Sequence, residues 1–504
     1  MSSKFKNLGR LLLAPMATIL ISTAPSVFAQ TIYVPDGAAA SYAWFNITPG
    51  SNESQLCFSW ATKNLDMTNF GYIPADYLHP DSFTTYALPV PEVQVVKLNW
   101  DETVSSFLSH LDMSRIRTFY GATLKAYFTT SAGTSAAGWY QNKVTISGLK
   151  NSSTYAFRIG YDSTWSPIGT FQTQDPSSFC FVAVGDPQLG AATSGSLEPP
   201  AQIANVLGYD STGWANTVAM MSQLVPNASF LLSLGDEVDN SSSQAGVDPQ
   251  YNAYFSPMQL LSLPVATMDG NHDYGLGQYY GYHYNLPNLS TQYGVSQFGN
   301  DGDYWYTYGN ALFIVINSNT LSATTHDVFI GQAIAANPKA AWRIVSFHHA
   351  LYSDADHALD VDILFRRSAY PAIFDKYHID VVFAGHDHTF TRTYQMLGGL
   401  PVSKDKMVMG ADSSVTVTDP AGTLYMTLNS GSGSKFYPLN PSFIDPETGV
   451  ITFPVYVAHH WQQNQPTFSR VSIGGNSLSI VTVSTNNPSS PIDNYTIVKS
   501  SVQN

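Results

Sequence analysis

Five short apolar runs in the second part of the chain each stop at Asp, Asn or His. Phe181-Val-Ala-Val-Gly185 ends at Asp186-Pro-Gln188, and Phe230-Leu-Leu-Ser-Leu-Gly235 ends at Asp236. Pro264-Val-Ala-Thr-Met-Asp-Gly270 ends at Asn271-His272-Asp273, Arg343-Ile-Val-Ser-Phe347 at His348-His349, and Val381-Val-Phe-Ala-Gly385 at His386-Asp-His388. A short run that is almost continuously apolar suits a strand covered on both faces. Helical spacing over 214–225, 328–336 and 362–377 alternates with these strands, which gives α/β architecture. In open α/β sheets, ligands bind beyond the carboxyl ends of the strands. Five strand ends can therefore bring Asp186, Asp236, Asn271, His348, His386 and His388 to one crevice.

Such oxygen and nitrogen donors suit first-row metals. Two ions roughly 3.5–4 Å apart, sharing a carboxylate, form a clamp for in-line displacement at phosphorus. A lone Gly-Asp or Gly-Asn-His is more often a turn than a site. The ordered set, each member after an apolar run, carries the argument.

The stretch before residue 175 reads differently. Alternation over 55–60, 143–149 and 154–159, with turn residues Gly148, Asn151 and Ser152, predicts evenly spaced strands of a sandwich. The run from Val144 to Gly160, followed by Trp165-Ser-Pro and Gly169-Thr-Phe-Gln-Thr173, resembles the end of a fibronectin type III domain. After residue 420 the pattern returns to strands, at 423–428, 455–458 and 478–483. The segment 412–419 and the pair His459-His460 read as surface loops.

The whole of 179–395 resembles the calcineurin-like metallophosphoesterases, in particular the purple-acid-phosphatase-like branch with a fibronectin-like front domain. The resemblance implies a four-layer α/β/β/α sandwich over 176–504, preceded by a β-sandwich over 30–175. It implies a metal-dependent phosphoric ester hydrolase that uses a metal-bound hydroxide, acting as a phosphomonoesterase. A phosphodiesterase or nucleotidase is the alternative in the same class. A non-catalytic secreted binding protein with a decayed site is the alternative of another class.

Carried onto matching positions, Asp186 and His388 hold the first metal, Asp236 bridges, and Asn271, His348 and His386 hold the second. The ions are divalent or trivalent Fe, Mn or Zn. His272 faces the substrate, donating to a phosphoryl oxygen or protonating the leaving group, so His272 and Asp236 are the catalytic pair. His357 and His349 are grouped with the substrate contacts. Two departures bear on the first metal. The Asp-x-His of many members is Asp-Pro-Gln here, so Gln188 offers an amide oxygen instead. The tyrosine that colours purple acid phosphatases falls at Asp239.

Bulk properties add location and exclusions. The 504 residues are 44% hydrophobic and 12% charged, with a net charge of -14. Lys4, Lys6 and Arg10, an apolar stretch and Val27-Phe28-Ala29 read as an export signal over 1–29, cleaved near Ala29. Cleavage leaves -14 - 3 = -17. An acidic surface repels nucleic acid, so the expected partner is a small phosphate ester. No segment is long enough to span a bilayer, and the expected location is extracellular or periplasmic. Cys57 and Cys180 could pair in an exported chain, although buried free thiols are the favoured reading.

Overall fold

The computed structural model describes residues 41–63, 90–125, 139–161, 164–192, 205–239, 244–273, 278–296 and 301–500. The export signal over 1–29 and its cleavage site lie outside them.

The front region is a sandwich of two antiparallel sheets. Ser41–Pro49, Leu56–Lys63, Trp139–Ile146 and Ala122–Lys125 form one. Glu92–Lys97 is paired on either side by Arg117–Tyr120 and Thr154–Tyr161, which in turn carries Thr164–Trp165 and Gly169–Gln172. Alternate residues point inward from both sheets, as strand geometry requires. Phe45, Ile47, Phe58, Val93, Val144, Phe157 and Phe171 therefore share one core.

Two eight-stranded sheets follow. In the first, Ser178–Val184, Ala228–Ser233 and Val265–Ala266 are parallel neighbours, and Thr467–Gly474, Ser477–Ser484 and Asp493–Val498 extend the sheet. In the second, Ala311–Val315, Trp342–Ser346, Val381–Ala384 and Thr423–Thr427 run parallel. The sheets pack face to face. Phe181 and Phe230 stack at 4.9 Å on the first, and Phe313 from the second meets Phe181 edge-on at 5.3 Å. Val206–Leu224 and Gln244–Tyr254 cover the first sheet, burying Trp214, Val218, Met221, Tyr251 and Tyr254. Ala323–Ala336 and Val361–Lys376 cover the second through Phe329, Ile330, Tyr370 and Phe374. The layers are α/β/β/α. Each buried large apolar side chain contributes about 1.5–3 kcal/mol.

The sandwich is tied to the segment just past His272. Asn46 Nδ2 donates to the His283 carbonyl at 2.8 Å, Lys143 Nζ to that of Gly281 at 2.9 Å, and Thr48 Oγ1 to that of Asn285 at 2.6 Å.

Three expectations are corrected. The helix expected over 214–225 begins at Val206, capped by Asn205; Gly208, Ser211, Thr212 and Gly213 hide its first turns from a hydrophobic pattern. The 412–419 loop contains the strand Val415–Thr418, which pairs with Asp493–Val498. His459 and His460 sit in the strand Val457–Trp461 and pair with Asp493 and Asp354 at 3.1 and 2.9 Å. Cys57 and Cys180 are buried and free. Among the described residues, no helix is long and apolar enough to cross a membrane.

Candidate metal centre

Sharp turns carry the chain off each parallel strand. Asp186, Gln188, Asp236, His386 and His388 all have positive φ, between 32° and 72°. Non-glycine residues in that region cost on the order of 1–3 kcal/mol each and cluster at functional sites. The glycines beside them are needed for close approach. A Cβ on Gly270 would lie 2.1 Å from Asp236 Oδ1, and one on Gly385 2.5 Å from Asp186 Oδ2. Gly235 has φ +87° and lies against the His348 ring, where a Cβ would be 2.8 Å from Nδ1.

The six ligand candidates converge. One donor atom each from Asp186, Asp236 and His348 falls within a 4.8 Å cluster. Asn271 Oδ1 is 2.9 Å from both His348 Nε2 and His386 Nδ1. His348 Nε2 is 3.2 Å from Asp236 Oδ2 and 3.2 Å from His386 Nδ1. His388 Nε2 is 3.8 Å from Asp186 Oδ1.

Surrounding groups fix which atoms face inward. His348 Nδ1 lies 2.8 Å from the Leu234 carbonyl and His388 Nδ1 3.0 Å from that of Lys435. Each Nδ1 therefore donates to a carbonyl, leaving an Nε2 lone pair for a metal, as metal-binding histidines require. The His386 N–H donates to both oxygens of Asp186, at 2.8 and 3.0 Å, and the His272 N–H to Asp236 Oδ1 at 2.8 Å. Gln188 is fully buried. Its Nε2 donates to Asp239 Oδ1 at 3.0 Å, and its Oε1 has no partner among the described residues. An orphaned buried carbonyl, two inward Nε2 atoms and two buried carboxylates fit a pair of cations, because such groups are costly unless something pairs them.

Electrostatics agree. Burial, with help from Asp236, raises the Asp186 pKa. Burial also opposes the Asp236 anion, but His348 and His272 outweigh it and hold its pKa below the usual carboxylate range. Burial drives His386 and His388 well down, so both rings are neutral and able to ligate.

The remaining sequence candidates lie around this cluster. His272 is half-buried, its Nδ1 2.7 Å from the Asp239 carbonyl. His357 is half-buried, with its ring 4.6 Å from that of His386 and Nδ1 2.7 Å from Asp360 Oδ2. His349 is buried; its Nδ1 is 2.8 Å from Ser318 Oγ and its ring 4.6 Å from that of His386.

Sequence reading missed two supports. Asp273 accepts the N–H groups of Glu237, Val238 and Gly270, tying two of the ligand turns together. A sixth strand end also reaches the site. Beyond Thr423–Thr427, Ser430 Oγ donates to the Asp186 carbonyl at 3.1 Å, and Ser432 and Ser434 donate to that of Pro187. The signal was present as Asn-Ser-Gly-Ser-Gly-Ser after an apolar run, but it holds no Asp or His to mark it.

Residues 181–390 match the family model for calcineurin-like phosphoesterases. Over 112 residues the chain is 30% identical to the uncharacterized protein Rv2577 of Mycobacterium tuberculosis, covering 22% of this chain. The chain spans 21% of the length of the curated relatives it matches. Purple acid phosphatase PPD1 from yellow lupin (Lupinus luteus) seeds superposes with a TM-score of 0.64 at 14% identity, covering 91% of this chain and 74% of that one. PhoD superposes at 0.50 with 12% identity, covering 86% and 85%. At these identities the likeness is one of fold.

Proposed function

Because residues 181–390 form a calcineurin-like phosphoesterase domain, we propose that the chain is a two-metal phosphoesterase acting on small phosphate monoesters. The observation that carries this reading is the convergence of lone pairs from Asp236, Asn271, His348 and His386 within hydrogen-bond distance of one another. When bound, two cations would neutralise phosphoryl oxygens and lower the pKa of a bound water.

Asp186, His388 and Gln188 Oε1 would hold the first ion, Asn271, His348 and His386 the second, with Asp236 available to both. Oxygen-rich donors at the first position favour Mn or Fe. Asp239 accepts from Gln188 Nε2, which fixes the amide so that its oxygen stays free. The Asp239 carbonyl likewise accepts from His272 Nδ1–H, which leaves Nε2 for the leaving oxygen; only the imidazolium form carries a proton there to give. His357 and His349 stand beside His386 on the substrate side.

Export through the first 29 residues is part of the proposal, as is the fibronectin type III-like character of the front sandwich. Sequencing the N-terminus of the mature protein tests the first. Hydrolysis of a simple aryl phosphate, against a matched diester and with metals counted, tests the activity. Turnover of the diester alone would move the assignment to phosphodiesterase.

A further inference from the structure

The loop that supports Asp186 also carries a phenol that nothing above uses. After Ser434 the chain continues as Lys435-Phe436-Tyr437, outside the stretch matched by the family model. The Tyr437 ring stands nearly perpendicular to that of His388, at 5.2 Å and 82°, and to that of His357, at 4.9 Å and 86°. It is thus wedged between a candidate ligand of the first metal and a histidine on the substrate side. The backbone holds it there. Gln462 Nε2 donates to the carbonyls of both His388 and Tyr437, at 2.6 and 3.1 Å, while the Lys435 carbonyl accepts from His388 Nδ1.

Tyr437 is half-buried, and its hydroxyl makes no hydrogen bond among the described residues. Burial raises its pKa, and the carboxylates of Asp387, Asp186 and Asp236 raise it further. Lys435 adds a cation on the same wall, its Nζ 4.7 Å from the Tyr437 centroid.

We infer that the Tyr437 hydroxyl, with the Lys435 ammonium beside it, binds the phosphoryl oxygens of the substrate from beside His388 and His357. This rests on the two-metal reading, and it adds a substrate contact drawn from the sixth strand end. A phenol hydroxyl is suited to the role, because a hydrogen bond to a charged group is among the stronger kinds.

The test uses the full-length, metal-loaded protein with inorganic phosphate as the probe, by calorimetry and by inhibition of aryl phosphate turnover. Tyr437→Phe keeps the ring and removes only the hydroxyl. It should weaken phosphate binding about ten- to a hundredfold, as expected for a lost hydrogen bond to a charged group, with two metals retained. Lys435→Met should also weaken phosphate binding and reduce its salt dependence. Phosphate affinity unchanged in Tyr437→Phe would overturn the inference, and so would loss of metal in that variant, because the phenol would then be a ligand. Wild-type protein that holds two metals yet binds no phosphate and turns over no ester would instead overturn the two-metal phosphoesterase reading.

Discussion

Asn271 Oδ1 and His348 Nε2 stand 2.9 Å apart although 77 residues separate them in the chain. With Nδ1 committed to the Leu234 carbonyl, the His348 ring turns Nε2 toward that amide oxygen. Two acceptors at that distance repel unless a cation or a proton lies between them. Asp236→Ala and Asn271→Ala should therefore abolish turnover and metal binding in protein that still folds. Circular dichroism with metal analysis checks this, and a variant with intact metal and activity would contradict it.

His272 should separate chemistry from metal binding. Its N–H supports Asp236 through the backbone, which a side-chain change leaves in place. His272→Ala should slow turnover by about 10²–10⁴, the range for general acid–base groups, with metal content unchanged. Loss of metal with turnover per metal preserved would show that its role is ligation.

Gly270→Ala should deplete the site of metal. The added methyl would meet the Asp236 carboxylate and backbone nitrogen at 2.1 and 2.2 Å. Gly449, whose Cβ would meet nothing within 4 Å, is the control for a positive-φ glycine. Both alanines should lower thermal stability, but only Gly270→Ala should lower metal content.

Much of this site was legible because its parts are local in sequence. A strand, a glycine and a ligand occupy a few consecutive residues, and parallel pairing brings such ends together. What escaped had no local mark. Tyr437 is one aromatic among many, and only the third dimension sets it against His388 and His357. The strand Val415–Thr418 was hidden for a different reason: it is only four residues long, and the turn residues that separate it from its neighbour Met407–Met409 dominated the local pattern.

Arg392 and Asp493 form a buried pair, with Nε 2.7 Å from Oδ2 and Nη2 3.2 Å from Oδ1. Burial opposes the Asp493 anion, but His459 and Arg392 outweigh it and depress its pKa. A depressed carboxyl stabilises the fold above its ordinary pKa of about 3.9, and that contribution disappears as pH falls through the lower folded value. Arg392→Ala strands a buried charge and should cost about 3–5 kcal/mol, read by denaturant unfolding at neutral pH. Wild-type stability there would contradict it.

Iron-loaded protein should lack a visible tyrosinate band. Asp239 stands where the family has its tyrosine. Tyr284 is packed against Phe255 and Tyr280 in the core, and Tyr274 lies outside the described residues. A band that vanishes in Tyr437→Phe would show that this tyrosine binds the metal.

The most direct test of the central claim is metal content measured together with aryl phosphate turnover on one purified sample, before and after chelation. The account predicts two metals per chain, turnover lost on chelation, and turnover restored when metal is returned. Full turnover in protein stripped of metal, or two bound metals with no hydrolysis of any phosphate ester, would contradict it.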